Sequence, residues 1–88
     1  MSEPILSIMP VRQWEEMTLR GQWAKFDEEI HEVWKETDKQ AEAIELLDTI
    51  QALTGVLVIH CKTYGLDMQE IIKLHDAKNV ARGYQEER

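Results

Sequence analysis

The apolar positions of this chain recur at helical rather than strand periods. Trp23, Phe26, Ile30, Val33 and Thr37 step by 3, 4, 3 and 4, the seam of a helix that packs against others. This predicts a helix from about Gln22 to Glu36. A longer one is predicted from Lys39 to Tyr64, with apolar residues on most of its circumference between Ala41 and Cys61. Thr37 and Asp38 suit an N-cap, and Thr37 with Gln40 fits a capping box. The turn is therefore tight, and a short connection makes the two helices antiparallel neighbours. Gly65 suits the residue just past a helix end. Asp67, with Glu70 three residues on, opens a further helix packed through Met68, Ile71, Ile72 and Leu74.

Upstream, Pro10 fits a first helical position. A short helix is expected over Val11 to Arg20, with Val11, Trp14, Met17 and Thr18 on one side. Gly21 weakens a helix by roughly 1 kcal/mol relative to Ala and predicts a break or bend there. Residues 1–9 carry Pro4, Ile5, Leu6 and Ile8 without periodicity and read as an arm; residues 85–88 read as a frayed tail. No stretch alternates like a strand. The expected fold is therefore all-α, a four-helix protomer over residues 10–84.

The chain has 88 residues, one small domain with a limited core of its own. Its 43% hydrophobic content is concentrated in one helix, and a helix apolar nearly all round needs neighbours on all sides. A second copy is expected to complete the core, in a homodimer or homotetramer. The net charge of −7 argues against a nucleic-acid polymer, whose binding rests on Lys and Arg neutralising phosphates. The single Cys61 excludes an intrachain disulfide and fits a reducing, cytoplasmic setting as a small core residue. No signal peptide is evident. The longest purely apolar run, Val56 to Ile59, is far short of the roughly 20 residues of a membrane span, so no membrane is expected.

Chemistry concentrates in Asp27 to Asp48. Two acidic words lie there, Glu28-Glu29-x-x-Glu32 and Glu45-x-x-Asp48, with twelve residues between them. Helical positions i and i+3 share a face, so Glu29 pairs with Glu32 and Glu45 with Asp48. Across the tight turn, Glu32 and Glu45 differ in height by only ~3 Å at 1.5 Å per residue. The two pairs could surround a hard cation with oxygens, the ligand set that Mg²⁺ prefers. The plainer reading of the first word is a solvated helix face. The second is harder to dismiss, because Asp48 sits among Leu46, Leu47, Ile50 and Leu53, and burying an unpaired charge is very costly. Glu28, at the edge, binds a second ion, orients a water or faces solvent. His31, His60 and His75 read as structural. Trp14 reads as a core or interface ring or one that stacks on a nucleobase; Trp34 is a second stacking candidate or an interface residue. Lys78 and Arg82 lie at i and i+4 beside Asn79. They offer either a solvated helix end, where cations offset the dipole, or donors for phosphate oxygens.

EExxE, a twelve-residue gap and ExxD resemble the signature of the MazG-like nucleotide pyrophosphohydrolases, of the all-α NTP pyrophosphohydrolase superfamily. Lys78-Asn79-x-x-Arg82-Gly83-Tyr84 resembles the KNxxRGY-like ending of small members. The resemblance spans about Trp14 to Tyr84. It implies Mg²⁺, with Mn²⁺ as a substitute, on Glu29, Glu32, Glu45 and Asp48. It further implies hydrolysis of a (d)NTP to a (d)NMP and pyrophosphate, with a role in cleaning the nucleotide pool. Glu28 and Glu29 would act on the attacking water, Lys78, Asn79 and Arg82 on the phosphates, and Trp14 on the base. A phosphoribosyl-ATP pyrophosphohydrolase-like enzyme is the enzymatic alternative. A non-catalytic helical interaction module, its acidic words mere surface charge, is the alternative from another class.

Overall fold

A computed structural model describes residues 5–86, and among them every regular element is helical. A single 3₁₀ turn, Arg12–Glu15, precedes three α-helices: α1 (Leu19–Lys35), α2 (Lys39–Tyr64) and α3 (Met68–Ala81). The expected readings of residues 1–4 and 87–88 lie outside the described residues.

The expected first α-helix, Val11 to Arg20, is instead this 3₁₀ turn, and the chain breaks before Gly21 rather than at it. Thr18 is the reason. Its extended backbone and its side chain, which accepts a bond from the Gly21 N–H at 3.0 Å, start α1 three residues early. Such a cap is worth about 1 kcal/mol, comparable to the helical cost of Gly21. The turn between α1 and α2 falls where expected, but Asp38 is the cap. Its Oδ2 accepts from the Ala41 N–H at 2.8 Å. Glu36 Oε1 takes the Thr37 and Asp38 amides, so the Thr37–Gln40 capping box does not form. Gly65 ends α2 at φ 65°, and Asp67 caps α3 through the Gln69 and Glu70 amides.

α1 and α2 pack along their length, and the 3₁₀ turn lies against α2. The face α1 turns toward α2 shares only Val33 fully with the predicted seam. Gln22 and Val33 are buried, while Trp23 is 48% exposed and Phe26 and Ile30 only half-buried. Gln22, Glu29 and Val33 share one side of a 3.6-residue helix, rotated by about one residue from the Trp23 seam. Gln22 takes the place of an apolar residue because its Nε2 donates to the Ala52 carbonyl at 3.0 Å, which satisfies its buried amide.

Among the described residues the buried apolar set is small: Trp14, Val33, Ala52, Val56, Ile59 and Cys61. Much of α2 stays uncovered, with Leu46, Ile50, Leu53 and Leu57 each 37–46% exposed. α3 buries no residue and makes only marginal contact with the other helices. By length and composition alone α2 is apolar enough to cross a membrane, which the short run from Val56 to Ile59 did not anticipate.

Candidate functional site

The antiparallel pairing of α1 and α2 brings Glu29, Glu45 and Asp48 together. One carboxylate oxygen from each lies within 4.8 Å of the other two. Glu29 and Glu45 are half-buried and Asp48 is exposed. The argument that Asp48 is a buried charge in need of a partner therefore does not hold for this chain by itself, because its apolar neighbours Leu46, Leu47 and Ile50 are exposed as well. Asp48 reaches the cluster by position: at i+3 from Glu45, it shares the face that meets Glu29.

Glu32 stands outside this group. Its carboxylate lies 3.9 Å from Lys35 Nζ, because it sits about 80° around α1 from the Gln22–Val33 face. Glu28 is exposed, farther round still. Glu29 is held by Lys25, Nζ to Oε1 3.0 Å, and its side chain is 15% exposed. That bond and the Glu29 charge hold the Lys25 ammonium above its usual pKa, against some desolvation and with help from Glu28 and Asp48. Glu45 is the strained member. Desolvation first, then the charges of Asp48, Glu29, Glu32 and Glu36, raise its carboxyl above the ordinary 4.5.

This has a stability consequence with a definite sign. In metal-free buffer the folded protein holds the Glu45 proton more tightly than the unfolded chain. The penalty is in full force above the raised pKa and is relieved as pH falls through it toward 4.5. Glu45→Gln is therefore expected to melt higher than the wild type at pH 7, with the gap closing near pH 4.5. Parallel thermal melts check this; a gap that is constant or widens on acidification would show that Glu45 is not frustrated.

Beside the cluster opens a cavity of about 480 Å³ lined by Val11, Gln13, Trp14, Met17, Gln22, Lys25, Glu29, Asp48, Gln51 and Ala52. Trp14 is 7% exposed, and the edge of its indole rests on α2 at Gly55. It is thus a core ring that also walls the cavity. Gln51 is partly fixed by donating to the Met9 carbonyl at 3.4 Å. Trp34 lies elsewhere, 70% exposed and edge-on to His31 at 5.1 Å. Lys78, Asn79 and Arg82 are not brought to this cavity: they belong to α3, and no α3 residue lines it. Asn79 instead bonds His75 and Gln85.

Lys25, Gln22 and Gln51 are site residues that the acidic words alone did not suggest. Spacing held the signal: Gln22, Lys25 and Glu29 step by 3 and 4, and Gln51 follows Asp48 by 3. Compared with known protein families, curated proteins and solved structures, the chain matches none.

Proposed function

We infer that the chain is a divalent-metal-dependent nucleoside triphosphate pyrophosphohydrolase of MazG-like type, acting as a homo-oligomer. The observation that carries this is the convergence of the Glu29, Glu45 and Asp48 oxygens within 4.8 Å, with Glu29 and Asp48 also lining a cavity walled by Trp14. The donor set suits a hard cation. Mg²⁺ and Ca²⁺ hold oxygens at 2.0–2.6 Å, so opposite ligands of one ion stand roughly 4–5 Å apart. An ion there would also relieve the repulsion that raises Glu45. Mg²⁺ is the proposed ion and Mn²⁺ its substitute; when bound it neutralises phosphate charge and acidifies water.

The remaining roles belong to the chain. Glu29, Glu45 and Asp48 hold the metal, with Glu32 adding negative charge from the rim. Glu28, exposed and turned away from the cluster in this fold, keeps the water-activating role only by swinging its side chain over the rim. Water adds to the α-phosphorus, the bond to the bridging oxygen breaks, and the products are a nucleoside monophosphate and pyrophosphate. Lys25, which lines the cavity, offsets charge on the phosphates; Lys78, Asn79 and Arg82, which lie away from it in one chain, could do so only from a neighbouring copy. Trp14, Met17 and the amides of Gln13 and Gln51 receive the base.

Pyrophosphate release from a panel of NTPs and dNTPs, with and without Mg²⁺, tests the reading. Metal-dependent turnover of at least one nucleotide, lost with EDTA, is expected. No turnover at micromolar enzyme would sink it in favour of a helical interaction module.

A further inference from the structure

A second cavity, of about 540 Å³, lies between the 3₁₀ turn and the C-terminal half of α2. That volume is in the range of small-molecule sites, roughly 300–1,000 Å³. Pro10, Val11, Val58 and the buried Trp14 give it apolar walls. Arg12, Glu15 and Lys62 give it two positive charges and one negative. It shares Val11 and Trp14 with the cavity beside the acidic cluster, and none of the cluster's carboxylates. Along α2, Lys62 stands about 21 Å from Asp48 at 1.5 Å per residue, so a small molecule held at Lys62 does not reach the cluster.

The sign of the charge is the informative feature. The chain carries −7 overall, yet this cavity is lined by one net positive charge. In a 3₁₀ turn the side chains at i and i+3 eclipse, which puts Arg12 and Glu15 on one side of it. Lys62 Nζ donates to the Glu15 main-chain carbonyl at 3.3 Å. That bond holds the ammonium against the turn and leaves two of its three N–H groups for other acceptors. Lys25, Lys35 and Lys39 each meet a carboxylate, whereas among the described residues neither Arg12 nor Lys62 sits in an ion pair.

We propose that this cavity binds a small organic carboxylate, with its apolar body against Pro10, Val11 and Val58 and its charge between Arg12 and Lys62. A guanidinium meets a carboxylate through two parallel hydrogen bonds, and Lys62 adds a second positive charge. One net positive charge suits a monoanion, and the Glu15 carboxylate opposes a phosphate dianion. The walls favour a ligand with an apolar body over a small hydrated ion. The site is separate from the acidic cluster and stands or falls independently of the pyrophosphohydrolase reading.

A titration of the full chain in EDTA tests it, in a Trp23→Phe/Trp34→Phe protein whose remaining indole, Trp14, walls the cavity. Both replaced rings are exposed, so the fold does not rest on them. Phenylacetate is the probe. Benzyl alcohol lacks its charge, acetate lacks its ring, and phenyl phosphate carries a further charge. A saturable change in Trp14 fluorescence is expected with phenylacetate at millimolar concentration or below, at least about tenfold tighter than with the other three. Arg12→Gln and Lys62→Gln are each expected to weaken binding at least about tenfold, the scale of one lost hydrogen bond between charged groups. Lys62→Arg restores donor and charge, and is expected to restore binding. Glu15→Gln is expected to tighten it. Lys78→Gln/Arg82→Gln, which removes as much charge from α3, is expected to leave it unchanged.

No saturable signal up to about 10 mM, by fluorescence and by saturation-transfer NMR of phenylacetate alike, overturns the site. So does binding that Arg12→Gln and Lys62→Gln leave intact, or that the α3 variant weakens equally. A Lys62→Arg protein that binds no better than Lys62→Gln overturns the role of the Lys62 charge. Tighter binding of phenyl phosphate than of phenylacetate overturns the assignment to a carboxylate.

Discussion

Asp48→Asn is expected to lower nucleotide hydrolysis by at least about 100-fold while leaving the metal-free protein as stable as before, or more so. The size follows from position. Changing a group that merely supports a metal ligand typically costs 10–100-fold, and Asp48 is proposed to be a ligand itself. The stability half follows from charge. The Asp48 oxygen lies within 4.8 Å of oxygens from Glu29 and Glu45, and its charge helps hold the Glu45 carboxyl above the ordinary range. Because Asp48 is exposed, solvent screens much of this repulsion, and the gain is small. The measurement is a pair: steady-state pyrophosphate release, and thermal melts in EDTA. Activity retained within tenfold would remove Asp48 from the chemistry. A loss of more than about 2 kcal/mol without metal would make it a structural residue, since surface substitutions ordinarily stay within about 0.5 kcal/mol.

The acidic cluster was legible because it depends on two things that sequence states plainly: helical spacing within each word and a short turn between them. The α2 helix was read to its ends, Lys39 and Tyr64, because Asp38 and Gly65 are strong end signals. What was not legible was rotation. The apolar seam of α1, taken alone, directed Trp23, Phe26 and Ile30 at α2. In the fold Gln22 and Glu29 face it instead, since Gln22 bonds the Ala52 carbonyl and Glu29 pairs with Lys25 at 3.0 Å. Polar residues that solve their own burial can displace an apolar seam, and periodicity does not see those bonds. The same rotation moves Glu32 to the rim, where Lys35 meets it. The arrangement of α3 was hidden for a different reason: its first turns look amphipathic, yet among the described residues α3 buries none of its side chains.

Gly55→Leu is expected to abolish cooperative folding, and Gly55→Ala to destabilise the protein although the same change would favour an isolated helix. A Cβ at position 55 would stand 2.5 Å from Trp14 Nε1 and 2.6 Å from Trp14 Cε2 and Gln22 Nε2. Carbon contacts settle at about 3.5–4.0 Å, so the indole and the buried amide must both retreat. Ala gains roughly 1 kcal/mol in helix propensity over Gly, and overpacking a filled site costs about 1–3 kcal/mol. The net loss for Ala is then up to about 2 kcal/mol. Leu adds three more carbons where the first already has no room, against a total of roughly 4–13 kcal/mol for a domain of this length. The two contacts also make the effect assignable. Trp14→Phe withdraws the indole nitrogen and the ring edge that meet the new methyl. Gly55→Ala should therefore cost less in that background, with a coupling of about 0.5–3 kcal/mol. Denaturant melts of the four proteins measure it. If Gly55→Ala stabilises in both backgrounds, the ring does not rest on α2. Trp14 also walls the cavity beside Glu29 and Asp48, so the Ala variant is expected to raise KM more than it lowers kcat. The retreating indole displaces a surface that receives substrate, while Asp48 and Glu45, about two and three turns away along α2, keep their places.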